Sequence, residues 1–599
     1  MHSKKGEGHS SLYITIVINT FLFSCLRLLC LKSGRRFFYG TFQHCNFNEI
    51  LGADFLLDFS IILCKFATTK RQTKKHSFKK MQKMRSILFV TVVAIINLTL
   101  MASTQNIDLP RSTPDLEGVE PQAIATFVDS LMAVPLTDIH HVIIVRHGKV
   151  IAEAHPAPFE RDELHTLFSC SKTFTMLAIG MLVDDGKLSV DDRVVELLPD
   201  IAPAVVTDGH KTMTVKHLLT MCAGIKPNVI PSHDTGNWAR TWLAQPVTRQ
   251  GKFQYDSMCT YMLALIVQRI SGKTLLDFLN ERFFEPLGIT DAQWEMCPDG
   301  VCVGGWGLRL TAESLAKAGM CMMNKGMWQG RQLISSKWLE EASQPHTNYE
   351  NPVPYPTDKN QGYCYQMWRC LQPGAFRADG AYGQFIVMLP EQDMVVVING
   401  VSHETDKELA TIWNHLVPGV KEEALAFNQA QQDALEEKLQ TLSLPLLSDC
   451  SRGKWDLGYT FKLAQNVRRY KRITLEYIGP RASQCLMTIE DSDGKVLMFP
   501  AKTDGWGYQH SGQLPPYADG DKGVYRESIA GLHGDFITAG NCAWVEKNKF
   551  VVKLYWTNWI VSQTLTFHIK GDGTATITND EGYPGISPET IAATWSQVK

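Results

Sequence analysis

The sequence lacks most of the short motifs that announce a chemistry. It has no G-x-S-x-G elbow, no H-E-x-x-H, no Walker loop and no dinucleotide fingerprint, which argues against α/β-hydrolase, zincin, P-loop and Rossmann chemistry. It also lacks a cysteine framework. Of fifteen Cys, four (Cys25, Cys30, Cys45, Cys64) fall in the first hundred residues, and the other eleven are scattered and odd in number. The close pairs, Cys297/Cys302 and Cys364/Cys370, have neither the two-residue gap nor the nearby His of a zinc site, so buried free thiols are expected, with no metal and no cofactor. A dominant charge is missing as well: Lys plus Arg is 59 against 61 for Asp plus Glu, a net charge of -2. Residues 1–103 hold 15 basic and 4 acidic side chains, which leaves the rest at -13. An acidic body excludes a nucleic-acid-binding surface, whose affinity needs clustered cations. No internal repeat is present. What remains is a 599-residue chain, 44% hydrophobic and 20% charged, long enough for two domains with sizeable cores.

The basic beginning reads as targeting. Lys70-Arg71-Gln72-Thr73-Lys74-Lys75 leads through Lys79, Lys80, Lys83 and Arg85 into an apolar run from Ile87 to Met101, followed by Ala102-Ser103-Thr104. A positive stretch, a short apolar core and a small residue at the cleavage point make a secretory signal at 81–103, and the run is shorter than the roughly 20 residues of a spanning helix. The expectation is a secreted or periplasmic protein with no stable membrane span after cleavage. Leu12 to Leu31 is a second apolar stretch, broken by Asn19 and Arg27. Two export signals in series make little sense, so residues 1–80 are expected to be an over-long gene start, with Met81 or Met84 the true beginning. The alternative is a membrane anchor at 12–31.

Further on, Val119, Ile124, Phe127, Val128, Leu131 and Met132 form a helical stripe. His141–Val145 and Val150–Ala154 flank His147-Gly148-Lys149 as a hairpin. Helix patterns follow near 170–185, 213–221, 258–270 and 311–324, and strand-like runs return at Gln384–Leu389 and Met394–Ile398. Strands at both ends with helices between predict an α+β layer in which first and last strands share one sheet. A polar helical stretch at 419–449 reads as a linker. After Leu446 the pattern turns to short alternating strands with tight-turn signals such as Asp493-Gly494, predicting an all-β sandwich or barrel at 450–599. Within it, Trp556 and Trp559 are expected in the sheet core rather than stacking a ligand.

The informative segment is Leu167-Phe168-Ser169-Cys170-Ser171-Lys172-Thr173-Phe174, after which Phe174, Leu177, Ala178, Met181 and Leu182 mark a buried helix. Ser169 and Lys172 stand three apart at its first turn, within mutual reach. A serine hydroxyl needs a base to become a nucleophile, and a lysine serves when burial and the helix dipole lower its pKa. Taken alone, the pair also fits a helix cap beside a solvated lysine. Three further stretches follow in order: Met213–Ile225, Phe253-Gln254-Tyr255-Asp256-Ser257, and Glu285-Pro286-Leu287-Gly288-Ile289.

Together these segments resemble the serine β-lactamase and penicillin-binding-protein superfamily, in its class C β-lactamase, carboxylesterase and nylon-oligomer-hydrolase branch, over about residues 118–418. The resemblance implies a β-lactamase-like antiparallel sheet flanked by helices, with a helical subdomain. It implies Ser169 as nucleophile, Lys172 as base or proton shuttle, and Tyr255 with Ser257 as the second motif, with Tyr255 a phenolate or strongly polarised phenol that could deprotonate Ser169, the Lys172 ammonium helping to hold it ionised. The third motif, Lys-[Ser/Thr]-Gly or His-x-Gly in the family, matches best at Phe376-Arg377-Ala378-Asp379-Gly380-Ala381. Here Ala378 takes the basic position and Gly380 keeps the glycine that lets a substrate approach. The amides of Ser169 and Ala381 would form the oxyanion hole. Without the cation, carboxylate-bearing β-lactams and D-Ala peptides fit less well, and an ester or amide hydrolase acting on a small-molecule or peptide substrate is expected. Arg377 points away on a strand, and Arg309 either reaches the site or makes a structural salt bridge. The competing readings are a D-amino-acid peptidase or β-lactamase, and a non-catalytic binding module. His140, His141 and His217, among apolar residues, read as structural histidines.

Overall fold

The structure, a computed structural model, describes residues 108–227, 236–347, 357–450, 458–478, 483–511, 530–582 and 587–598. The expected leader and signal, residues 1–103, lie outside the described residues. After helix α1 (Pro121–Met132) come β1 (Thr137–Arg146) and β2 (Lys149–Ala154), then the short β3 (His165–Thr166) and helix α2 (Ser171–Asp184). Helix α3 (Ser257–Ser271) ends a helical subdomain that also contains several one- to two-turn helices. The chain returns through β4 (Gln293–Trp294), β5 (Leu308–Leu310), helix α4 (Ala312–Met323), β6 (Trp368–Arg369), β7 (Phe376–Gly380), β8 (Gln384–Leu389), β9 (Met394–Ser402) and helix α5 (Thr405–Thr411).

The central sheet runs β2-β1-β9-β8-β7-β6, all neighbours antiparallel. First and last long strands do pair, Val142 opposite Ile398. Helices cover both faces, which is why β1 and β9 read as unbroken apolar runs. Val142, Ile144, Val396 and Ile398 pack with Ile124 and Phe127 of α1 and Leu409 of α5. Their sequence neighbours Ile143, Val145, Val395 and Val397 turn to the other side, against α2, α3 and α4. This is the β-lactamase-like α+β arrangement that the resemblance implied.

Helix α6 (Gln429–Gln440) then leads to ten strands: β10 (Tyr459–Leu463), β11 (Tyr470–Ile478), β12 (Gln484–Asp491), β13 (Val496–Lys502), β14 (Gly507–Ser511), β15 (Phe536–Glu546), β16 (Lys549–Trp556), β17 (Ser562–Ile569), β18 (Thr574–Asp580) and β19 (Glu589–Gln597). Nine close into a barrel, in the order β13-β12-β11-β10-β19-β18-β17-β16-β15, sealed by a short parallel pairing of Ala501 with Gly540 and Lys502 with Asn541. Strand β14 pairs onto β15 outside the ring. Closure removes the sheet edges that an open sandwich would leave, so of sandwich and barrel the chain adopts the barrel.

The barrel meets the α+β unit through the β16–β17 turn. Trp559, Ile560 and Val561 at that tip are each 2% exposed or less, whereas the tip of a free hairpin would stand in water. The Thr557 hydroxyl donates to Glu163 (2.7 Å), and Arg309 donates to the Asn558 carbonyl (3.1 Å). Beside this contact lies a buried imidazole group. His140 Nδ1 is 2.9 Å from His165 Nε2, His141 Nδ1 is 2.9 Å from His155 Nδ1, and Phe159 stacks on His140 at 3.7 Å. Burial depresses all four, His155 and His165 to about 4. His217 pairs with Thr214 in a capping box of a short helix. The eleven described cysteines are free, and all but Cys450 are buried. Among the described residues no helix is long and apolar enough to cross a membrane.

Candidate active site

Ser169 precedes helix α2 rather than lying inside it. It sits in a single 3-10 turn, Phe168–Cys170, and the α-helix starts at Ser171. Residues Ser171 to Leu182 are all buried, so this helix has no solvent face, and a lysine at its second position has nowhere to go but inward. The Lys172 side chain is 1% exposed, which removes the solvated-lysine alternative. Its Nζ donates to Ser169 Oγ (2.9 Å), Ser257 Oγ (3.0 Å) and the Gly305 carbonyl (2.6 Å). Ser169 itself is half-buried and reachable.

The second element is the start of α3. Asp256 caps it by accepting from the Met258 amide (2.9 Å) and is further held by the Trp242 indole N–H (2.8 Å). This cap turns Ser257 toward Lys172 and leaves Tyr255 just outside the helix. The Tyr255 ring stacks on Trp368 at 6.0 Å, and Lys172 Nζ stands 5.0 Å from its centroid. The third element is the Gly304-Gly305-Trp306-Gly307 loop, whose carbonyls take Lys172 and the Thr175 hydroxyl. Gly305 was missed as a site residue; the run of glycines was its only sequence signal.

Burial acts in opposite directions on the two groups beside Ser169 that could exchange its proton. Burial pushes Lys172 down to about 7, against an upward pull from Asp256. A neutral amine is thereby accessible near pH 7, able to accept from Ser169 while donating to Ser257 and Gly305. For Tyr255 burial acts in the opposite direction and raises the phenol, with the Ser169 hydroxyl only partly opposing it. Of the two expected forms, phenolate and polarised phenol, burial favours the neutral phenol, with the Lys172 donors directed to Ser169, Ser257 and Gly305.

The facing wall is the β7–β8 hairpin. Ala378 is fully buried, so its side chain touches no substrate. Gly380 has a structural task, because a Cβ there would stand 2.4 Å from the Leu167 carbonyl oxygen. Its lack of a side chain lets β7 close against the serine turn, where the sequence suggested room for substrate. Ala381, next in the chain, is exposed. Arg377 turns to the opposite face, paired with Asp379 at 2.9 Å. Arg309 does not reach the site and makes no salt bridge among the described residues: it is buried under the barrel, over the rings of Phe536 (5.1 Å) and Trp559 (5.5 Å), bonded to Gln293 (3.0 Å), and burial lowers it to about 10. Trp556 and Trp559 are each 2% exposed, closed to any stacking ligand.

The structure thus brings Ser169, Lys172 and Ser257 into hydrogen-bonding contact, with Tyr255 against them and Gly380 abutting the serine turn. Residues 134–415 match the family described as Beta-lactamase. The chain is 26% identical over 284 residues to a 6-aminohexanoate-dimer hydrolase of Paenarthrobacter ureafaciens, covering 43% of this chain and 70% of that protein. It is 27% identical over 176 residues to the lovastatin esterase of Penicillium rubens, covering 24% of this chain and 43% of that one, less than half the relative's length. Among solved structures it is similar to a penicillin-binding-protein homologue from Caulobacter crescentus, with a TM-score of 0.41 and 20% identity, over 50% of this chain and 99% of that one.

Proposed function

We propose that the segment at residues 134–415, which matches the Beta-lactamase family, is a serine hydrolase unit that cleaves an ester or amide through an acyl-enzyme on Ser169. The observation that carries this reading is the 2.9 Å contact between Ser169 Oγ and a Lys172 amine that burial brings to about 7. In the first step neutral Lys172 accepts the Ser169 proton as Oγ attacks the carbonyl carbon. The developing oxyanion is held by the Ser169 and Ala381 amides, whose donors need only main chain. The proton passes by way of Tyr255 or Ser257 to the leaving oxygen or nitrogen as its bond to carbon breaks. In the second step water gives its proton to the same relay, its oxygen bonds to the acyl carbon, and Ser169 leaves with a proton restored.

Ester and amide substrates without a carboxylate near the scissile bond suit the site best. Its third motif carries Ala378 in place of a cation, Arg377 is turned away, and Arg309 is under the barrel. One relative named above is called a 6-aminohexanoate-dimer hydrolase and the other a lovastatin esterase. Half-exposed Trp306, Trp368, Tyr255 and Phe168 around the serine favour an apolar acyl group. Intact mass after incubation with p-nitrophenyl butyrate tests the reading: the wild-type protein gains one acyl mass and turns over, and Ser169→Ala does neither. Full turnover by that variant would remove Ser169 from the mechanism.

Export belongs to the same proposal, supported by the basic stretch and apolar run at 81–103. A mature N-terminus near Ser103 on the secreted protein is the expected result, and a retained Met1 would defeat it.

A further inference from the structure

Two bulky residues beside the oxyanion amides hold left-handed backbone. Phe168, before Ser169, has φ +44°, and Tyr382, after Ala381, has φ +65°. For such residues this region is rarely populated and persists only where the surroundings over-determine it. Here the constraints can be named. The two rings meet edge to face at 5.4 Å. Both pack, together with Val401, against the core of the barrel. The Tyr382 carbonyl accepts from the Ser402 amide (3.0 Å), and the buried Gln384 side chain reaches the carbonyls of Gly400 (2.7 Å), Ala381 (3.3 Å) and Tyr382 (3.4 Å). Gly383, at φ +87°, lies so close to Glu408 that a Cβ would stand 2.5 Å from its Oε2.

An amide N–H points where the torsions on either side of its peptide plane send it. The torsions at Phe168 aim the Ser169 N–H, and Tyr382 anchors Ala381 from its C-terminal side. The two donors come from different elements, a helix turn and a hairpin. The ring contact across the gap ties one to the other, and the barrel closes off the space into which either ring could relax. We propose that Phe168 and Tyr382 are positioning residues that set the two oxyanion amides as a pair, with the barrel core as the surface on which they are set. This rests on the reading of Ser169 as nucleophile.

Phenylboronic acid separates the two ideas, because its boron takes the Ser169 oxygen, the serine proton leaves to Lys172, and the resulting tetrahedral boronate places a negative oxygen between the amides. In the full chain, Tyr382→Ala is expected to lower kcat and phenylboronate affinity by the same factor, about tenfold or more, with KM changed less than about twofold. Tyr382→Phe, which keeps the ring edge, restores both to within about threefold of wild type. A purely structural role would lower the fraction of active sites and leave kcat per titrated site and boronate affinity alone. Phe168→Leu, which keeps bulk but loses the ring, gives the same readout should Tyr382→Ala fail to fold. Retention of kcat and boronate affinity within about twofold in a folded ring-less variant overturns the proposal while leaving the nucleophile intact. A wild-type protein that forms no boronate adduct on Ser169 overturns both.

Discussion

The two walls that meet at Ser169 are held by opposite means. The helix wall is secured from inside: α2 is buried on every side, and the Lys172 donors all have acceptors. The hairpin wall is secured from outside, by Gln384, Ser402, Glu408 and the barrel acting on a three-residue turn with two positive φ values. Under the mechanism proposed for Ser169, the difference separates two tasks. Proton chemistry needs a group whose pKa is set by burial, which a closed helix supplies. Charge stabilisation needs backbone held at a fixed angle, which takes clamps from several directions.

Changes on the helix wall should therefore cost the most, and cost chemistry. Lys172→Met is expected to lower kcat/KM by about 10³-fold, by loss of the base. In the wild-type protein the same quantity should rise as pH passes about 7, since the amine must be neutral to act, and that limb should vanish in the variant; a limb that survives would move the base elsewhere. Tyr255→Phe should cost about 10²-fold in kcat with an unchanged unfolding midpoint, because only a hydroxyl is lost. On the hairpin wall, Gly380→Ala should cost position as well as stability. The new methyl meets the Leu167 carbonyl at 2.4 Å, and about 1–3 kcal/mol in chemical unfolding with about a tenfold fall in kcat is expected. A variant that keeps both would show the two walls are not in register through that contact.

The smallest effect lies at the barrel contact. Burial raises Glu163 to about 7, so between pH 4.5 and 7 the folded protein holds a proton that the unfolded chain has released. That contribution is complete below the ordinary carboxylate range and is lost as pH rises through 7. Glu163→Gln does not titrate, so its stability relative to wild type should gain on the order of 1 kcal/mol from pH 5 to pH 8. The histidine group acts in the other direction: its pKa values are depressed, so stability falls as pH drops below about 6.5.

The same division explains what the sequence could and could not tell. The meeting of Ser169 and Lys172 was legible from their helical spacing, and that of Ser257 only from the family resemblance. The β8 strand from Gln384 to Leu389 was legible to the residue because its apolar run ends at turn residues. What stayed hidden was conformation. Nothing about a phenylalanine or a tyrosine reveals a positive φ, since the strain is imposed by groups as near as Gln384 and as far along the chain as the barrel core. Which of its two expected forms Tyr255 takes was hidden for a related reason: its pKa is set by burial, which is a matter of packing. Arg309 was weighed as an active-site cation or half of an ion pair, and only the fold revealed an aromatic seat from another domain.

That seat bears on how the protein can be cut or rebuilt. An arginine without a carboxylate, roofed by Trp559 and Phe536, and an apolar patch of Phe168, Tyr382 and Val401 would both come to the surface if the chain were ended before the barrel. A minimal enzyme made by such a truncation should be sticky and poorly soluble. The two modules are better treated by protein engineers as one inheritable part than as a catalyst with a removable accessory.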